Sequence, residues 1–361
     1  MSKGAAQTAT WGNWARQWRR NNRRRLNQLL ARLLGTPGAR RRPLAADTRR
    51  ILVVRLNKRL GNVLFLTPML RSLAASLPEA RIDIVIQSPA QVDLLQSLPG
   101  VGRVWVQKNR VFGLFGLLRA IRRERYDLAI DPTGNSASNR IGMALSGARQ
   151  RLGFANADQW LPLTHAAGRS ISRHQALQAV ELLTGGISDP PIERFDTLAV
   201  FPEACDRQAA ETLWHDTLGV MAPRTPVIGF FSRATGDKQL ARPWWEAFLA
   251  AVSQAGPNAV LVEILPGPDA DPIDPARPHV AIASLTQLAA FMARCDQFVA
   301  ADSGPMHLAA AAGVPVVGLF QATAPSHYAP LGQACISLEG ERLTPSHTAR
   351  VVVDRLATGT D

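Results

Sequence analysis

Cysteine is scarce in this chain of 361 residues: Cys205, Cys295 and Cys335 are odd in number and far apart. That excludes a disulfide framework, offers no zinc spacing, and fits thiols kept reduced in a cytoplasm. Long apolar runs are also missing. Residues 308–320 are too few to span a bilayer and are broken by Gly313 and Pro315. No uninterrupted apolar stretch follows the early basic residues, so a secretory signal is not expected. Acidic residues almost vanish from the first fifty positions, where Asp47 stands alone against Lys3 and twelve arginines.

What remains is ample for folding. A chain of this length with 46% hydrophobic residues can build two domains with separate cores. The net charge of +13 sits almost wholly in residues 1–50, and residues 51–361 balance 28 basic against 27 acidic side chains. The body is therefore expected to be nearly neutral. In the extension, Trp11, Trp14, Trp18, Leu26, Leu29, Leu30, Leu33 and Leu34 fall on one side at the helical period. Arg16, Arg20, Arg23 and Arg24 lie mostly away from it, while Arg19 and Arg25 intrude on it. This pattern suits the interface of an anionic membrane, at on the order of 1 kcal/mol per Arg. A disordered basic tail and an RNA-binding arm are the alternatives.

Pro37, Gly38, Pro43 and the run Arg40-Arg41-Arg42 mark residues 35–50 as a connector. Strand-like runs then fall at 51–56, 82–86, 101–106 and 128–130, with helical patterns at 67–77, 92–98, 114–123, 139–145 and 175–183. Residues 185–202, with Pro190, Pro191 and Pro202, read as the passage between domains. A second alternation places strands at 227–231, 259–265, 297–301 and 316–320 and helices at 244–253, 285–293 and 305–312. A last helix at 345–356 is expected to pack back across the domains. The pattern predicts an α/β protein of two doubly wound domains, divided as 1–50, 51–200 and 201–361. Ligands of such sheets bind beyond the carboxyl ends of the strands, where Gly61 and Gly304 both fall.

The most informative stretch is 302–307, Asp-Ser-Gly-Pro-Met-His, running on to Gly313. Asp302 or Ser303 can cap a helix begun by Pro305, and Gly313 suits its left-handed stop. A glycine turn at a helix N-terminus lets a phosphate reach free backbone N–H groups.

This stretch resembles the late signature, roughly D-[ST]-G-x-x-H-[LI]-A-A-A-x-G, of the ADP-heptose:lipopolysaccharide heptosyltransferases, glycosyltransferase family nine. Three further segments resemble the same family in order. Residues 55–68 are similar to its first strand and glycine loop, residues 126–134 (YDLAIDPTG) to its Y-D-x-x-I-D-x-x-G segment, and residues 151–154 (RLGF) to its R-x-G-aromatic step. The likeness covers about residues 51 to 355. It implies two Rossmann-like domains facing a cleft (the GT-B arrangement), with an acceptor side in the first and a nucleotide-sugar site in the second. It further implies metal-independent, inverting transfer of a heptose or similar sugar from an ADP-sugar, with no cofactor. The acceptor would be a lipopolysaccharide core or related glycolipid at the cytoplasmic face of the inner membrane, with no specific nucleic acid as partner.

One position departs. The family's proposed base, an Asp after the loop glycine, is Asn62 here, and a neutral amide takes no proton. Asp131, at the end of a strand, is the nearest substitute carboxylate, and His174 is another. For the donor, the resemblance points to Lys238 as the diphosphate cation, with Arg242 in reserve, and to Thr235, Glu263, Asp302, Ser303, Gly304, Met306 and His307. Arg55, Lys58 and Arg59 surround Gly61 and suit a phosphorylated or carboxylated acceptor. Asp269 and Asp271 mimic a metal-binding pair but sit among prolines, and read as a turn. Two other readings stay open: a catalytically weak nucleotide-sugar-binding homologue, prompted by Asn62, and an RNA-binding protein acting through its arginine arm.

Overall fold

The computed structural model describes residues 40–107, 111–134, 136–155, 163–219, 221, 225–256 and 258–358. The amphipathic pattern expected in residues 1–39 lies outside them. In the first half, strands β1 (Arg50–Val54), β2 (Arg81–Ile86), β3 (Val101–Val106), β4 (Leu128–Ile130), β5 (Gln150–Phe154) and β6 (His165–Ala167) form one parallel sheet, ordered β3-β2-β1-β4-β5-β6. Helices α1 (Leu60–Leu64), α2 (Thr67–Ser76), α3 (Val92–Gln96), α4 (Val111–Arg123), α5 (Ala137–Leu145) and α6 (Gln175–Gly186) connect and cover it.

After α7 (Ala204–Leu218), strands β7 (Val227–Phe231), β8 (Val260–Leu265), β9 (His279–Ala281), β10 (Gln297–Ala301), β11 (Val316–Phe320) and β12 (Ile336–Glu339) form a second parallel sheet, ordered β12-β11-β10-β7-β8-β9. Read from its other edge, this is the order of the first sheet. Its helices are α8 (Arg242–Ala255), α9 (Leu285–Met292), α10 (Gly304–Ala311), α11 (Pro325–Tyr328) and α12 (Pro345–Thr358). The strand order reverses between β1 and β4 in one domain and between β7 and β10 in the other. Such switch points open a crevice for a ligand.

The apolar runs become strands because both sheet faces are covered, which leaves no polar alternation. β7, β10 and β11 are buried at every position. Helix α10 forms as its residues dictate: the Ser303 hydroxyl accepts from the Met306 N–H at 3.4 Å, and Pro305 sits in the first turn. Gly313, at φ +85°, stops it, in a conformation that side chains resist. One apolar cluster runs through both halves, joining Phe65 and Met69 of the first to Met306 and Leu308 of the second.

Three features differ from expectation. Arg40 and Arg42, expected in the extension, make parallel bridges to His165 and Ile187, and Leu44 and Thr48 are buried, so residues 40–48 belong to the first domain. Helix α12 stays within the second domain, with Val353 packed at Gly256 behind α8, and does not cross to the first. The passage between domains is tied down on both sides. Ala199 donates to the Thr67 hydroxyl at 3.1 Å, and Val200 donates to the Ala311 carbonyl at 3.1 Å.

Candidate active site

A cavity of about 590 Å³ opens between the two domains. Its second-domain wall comes from the loops after β7 and β10: Phe231, Arg233, Ala234, Thr235, Lys238, Asp302, Ser303 and Gly304 all line it. The centre of that wall is Asp302, almost fully buried. One carboxylate oxygen accepts from Lys238 Nζ at 2.6 Å and from the Thr323 hydroxyl at 2.7 Å. The other lies 3.6 Å from His307 Nε2, beyond a good hydrogen bond. Burial opposes ionisation of Asp302, yet the nearby His307 ring and the bonds from Lys238 and Thr323 outweigh it and hold the carboxyl at about 2. Lys238 therefore stands rigidly at the N-terminus of α10, with its ammonium 5.6 Å from the Tyr328 ring centroid. First-turn N–H groups that the helix cannot satisfy, beside a fixed ammonium, make an anion site.

The facing wall is α1 and its approach, with Arg59, Leu60, Gly61, Asn62 and Phe65. Here the two glycines of the sequence motifs meet each other's domains. A Cβ on Gly61 would lie 2.9 Å from the His307 ring, and one on Gly304 would lie 3.0 Å from Leu60 Cβ. His307 is buried and its ring meets Phe65 edge to face, with centroids 4.6 Å apart. Burial pushes its imidazole below the usual value, against the pull of Asp302. Its Nδ1 is buried without a partner among the described residues.

Thr235, Lys238, Asp302, Ser303, Gly304, His307, Gly61, Asn62 and Arg59 thus share one cavity. Other expected site residues do not. Asp131 is fully buried, paired with Arg140 Nε at 3.0 Å and accepting from the Thr133 hydroxyl at 2.6 Å, so it is sealed structure and not a free base. His174 caps α6. Its Nδ1 accepts from the Ala176 N–H at 3.2 Å, so Nε2 carries the proton toward the Ala329 carbonyl at 2.9 Å. Burial lowers its imidazole to about 4, and both nitrogens are committed, which removes it as a base. Glu263 is buried, accepting from the Ser232 hydroxyl at 2.5 Å and the Ile273 N–H at 2.7 Å, and does not line the cavity. Met306 is core beneath Gly318. Arg242 is spent on Glu246 and the carbonyls of Pro272 and Ile273. Lys58 is exposed outside the cavity. The stretch holding Asp269 and Asp271 is a turn, as expected, closed by Ala270 donating to the Gly267 carbonyl.

Sequence reasoning missed Thr323, Tyr328, Phe65 and Arg233. Thr323 and Tyr328 lie beyond β11 and carry no motif, although Arg233 stands in the same loop as Lys238. A second cavity, of about 240 Å³, lies at the switch point of the first sheet. It is lined by Arg55 after β1, by Pro132, Thr133 and Gly134 after β4, by Ser136 at the cap of α5 and by Gln175, Gln178 and Ala179 of α6; Asn62 and Phe65 belong to both cavities.

Two matched Rossmann-like domains, with a cationic switch point facing a glycine loop across a cleft, form the GT-B arrangement. The model of glycosyltransferase family 9 (heptosyltransferase) matches residues 114–350, well over half of the chain, and the protein belongs to that family. Over 297 residues it is 23% identical to lipopolysaccharide heptosyltransferase 3 of Escherichia coli, covering 73% of this chain and 81% of the relative. The crystal structure of a family 9 glycosyl transferase from Veillonella parvula superposes with a TM-score of 0.67 at 23% identity, over 82% of this chain and 88% of that one. That of E. coli ADP-heptose LPS heptosyltransferase II gives 0.65 at 18%, over 86% and 99%.

Proposed function

We propose that this glycosyltransferase moves a heptose, or a similar sugar, from an ADP-sugar to a lipopolysaccharide core or related glycolipid, with inversion and without a metal. The observation that carries this is the Lys238–Asp302–His307 group at the start of α10, facing Gly61 and Asn62 across one cavity. Among the described lining residues, Lys238, Arg233 and Arg59 outnumber the one carboxylate, Asp302, and suit a leaving diphosphate. The acceptor hydroxyl attacks the anomeric carbon from the first-domain side while the bond from that carbon to the diphosphate oxygen breaks. Asn62 orients that hydroxyl through its amide, and the proton leaves to solvent. The relatives' names, lipopolysaccharide heptosyltransferase and ADP-heptose heptosyltransferase, support the donor and acceptor chosen.

Residence at the cytoplasmic face of the inner membrane belongs to the same proposal. Residues 1–39 hold eight basic and no acidic side chains. Residues 40–200 hold 23 basic against 12 acidic, and residues 201–361 hold 10 against 16. The nearly neutral body expected from the sequence is thus a basic first domain beside an acidic second one. On α4, Phe115 is 70% exposed beside exposed Arg119, Arg122 and Arg123, a face suited to anionic lipid.

The test is transfer itself: ADP-heptose and a lipopolysaccharide core acceptor, with and without a chelator, following ADP release and the anomeric configuration of the product. Chelator-resistant turnover with inverted configuration supports the proposal. ADP binding without turnover favours the second reading, a weakened homologue, because the amide of Asn62 takes no proton.

A further inference from the structure

The second cavity sits in the first domain where the nucleotide cavity's own wall sits in the second. Its cation, Arg55, follows β1 as Lys238 follows β7, and Asp131 follows β4 as Asp302 follows β10. In the second domain cation and carboxylate meet at 2.6 Å. In the first they do not: Asp131 is consumed by Arg140. Among the described residues the hydrogen bond of Arg55 runs from Nε to the Asn62 carbonyl, at a long 3.3 Å. Among the described residues no carboxylate lines the cavity. The surrounding protein desolvates the guanidinium, and burial outweighs the field of Asp131 in lowering its pKa. A half-buried cation with one weak partner, facing a cavity, favours an anion that completes it.

The rest of the lining suits an anion. Ser136 caps α5 and Gln175 opens α6, so two helices of nine and twelve residues begin at the cavity, where partial positive charge gathers. Gln178 is held in place by its amide, which donates to the carbonyls of Ser172 and Arg173. Asn62 and Phe65 form the boundary with the nucleotide cavity.

We propose that this second cavity is a subsite for an anionic group of the acceptor, a carboxylate or a phosphate, with Arg55 as the residue that recognises it. The inference rests on the first domain being the acceptor side. It narrows the basic trio near Gly61 to one residue, since Lys58 is exposed and Arg59 lines the other cavity. An acceptor anchored there by its charge presents its neighbouring hydroxyl past Asn62 to the donor sugar.

The experiment uses the full chain and three probes, gluconate, glucose 6-phosphate and glucose, read as ligand-dependent shifts in melting temperature. Wild type and Lys238→Ala are expected to be stabilised by at least one of the anions and not by glucose, and the preferred anion identifies carboxylate or phosphate. Arg55→Gln is expected to weaken that binding about tenfold to a hundredfold. Without ligand it should melt no lower than wild type, because an unfavourable cation has been removed. Gln175→Glu, where the side chain has no hydrogen-bond partner among the described residues, places a carboxylate in the cavity and should also abolish the shift. A shift lost in Lys238→Ala but kept in Arg55→Gln overturns the proposal, as does no shift with either anion. ADP titrated into the same samples keeps the two readings apart: its failure to bind wild type would refute the donor site and leave the Arg55 result standing.

Discussion

The two halves of this enzyme run the same strand order and place a cation and an aspartate at the same two switch-point loops, yet they wire them differently. In the second domain Asp302 grips Lys238, so the ammonium is fixed beside the start of α10. In the first, Arg140 from α5 holds one oxygen of Asp131 while Thr133 and Asn139 hold the other, and Arg55 is left facing a cavity. The same topology yields a preassembled anion site in one half and an unsatisfied cation in the other. Who holds the aspartate decides what each crevice can bind.

The strongest way to break this comparison is to remove each aspartate's charge. Asp131→Asn leaves Arg140 buried and unpaired, and should cost about 3–5 kcal/mol in denaturant unfolding. A loss near zero would mean that the buried pair is not what holds α5 to the sheet. Acid sharpens the contrast next. His174 is depressed from 6.5 to about 4, so its contribution is complete above 6.5 and is lost as pH falls through 4, about 3 kcal/mol in all. Urea unfolding between pH 7 and 4 measures it, and His174→Gln should flatten that part of the profile. Asp302, depressed from 3.8 to about 2, acts at lower pH. It contributes about 2 kcal/mol above 3.8, lost as pH falls through 2, and Asp302→Asn removes that limb. The smallest effect is steric. Gly61→Ala puts a methyl 2.9 Å from the His307 ring and should cost about 1–3 kcal/mol while raising the KM for the donor. Unchanged stability and KM would show that the domains part freely at that point.

Much of the fold could be read from the apolar runs. β3, β4, β7, β10 and β11 occupy the predicted residues: the last four are buried throughout and read as apolar runs, whereas the partly exposed edge strand β3 is legible through Val101, Val104 and Val106 despite Gly102 and Arg103. The three-residue β6 and β9 are too short to carry a pattern, and α7 buries only Ala210 and Trp214, so its period is faint. In the site, residues on the β10–α10 turn were legible because capping and glycine geometry act locally. Thr323 was not, since it reaches Asp302 from 21 residues away. Asp131 looked like a free carboxylate because nothing in the order of residues reveals that Arg140, nine positions on, turns back to it. The charge of the body misled for a similar reason: the near-balance of residues 51–361 conceals two domains of opposite sign.

The central claim is that nucleotide binding belongs to the second switch point and not to the first. Calorimetric titration of ADP, with UDP and GDP as comparisons, into wild type, Lys238→Ala and Arg55→Gln tests it directly. The expected result is preference for ADP, at least tenfold weaker binding in Lys238→Ala, and binding within about twofold of wild type in Arg55→Gln. ADP binding that survives Lys238→Ala and is lost in Arg55→Gln would contradict the assignment of the two crevices.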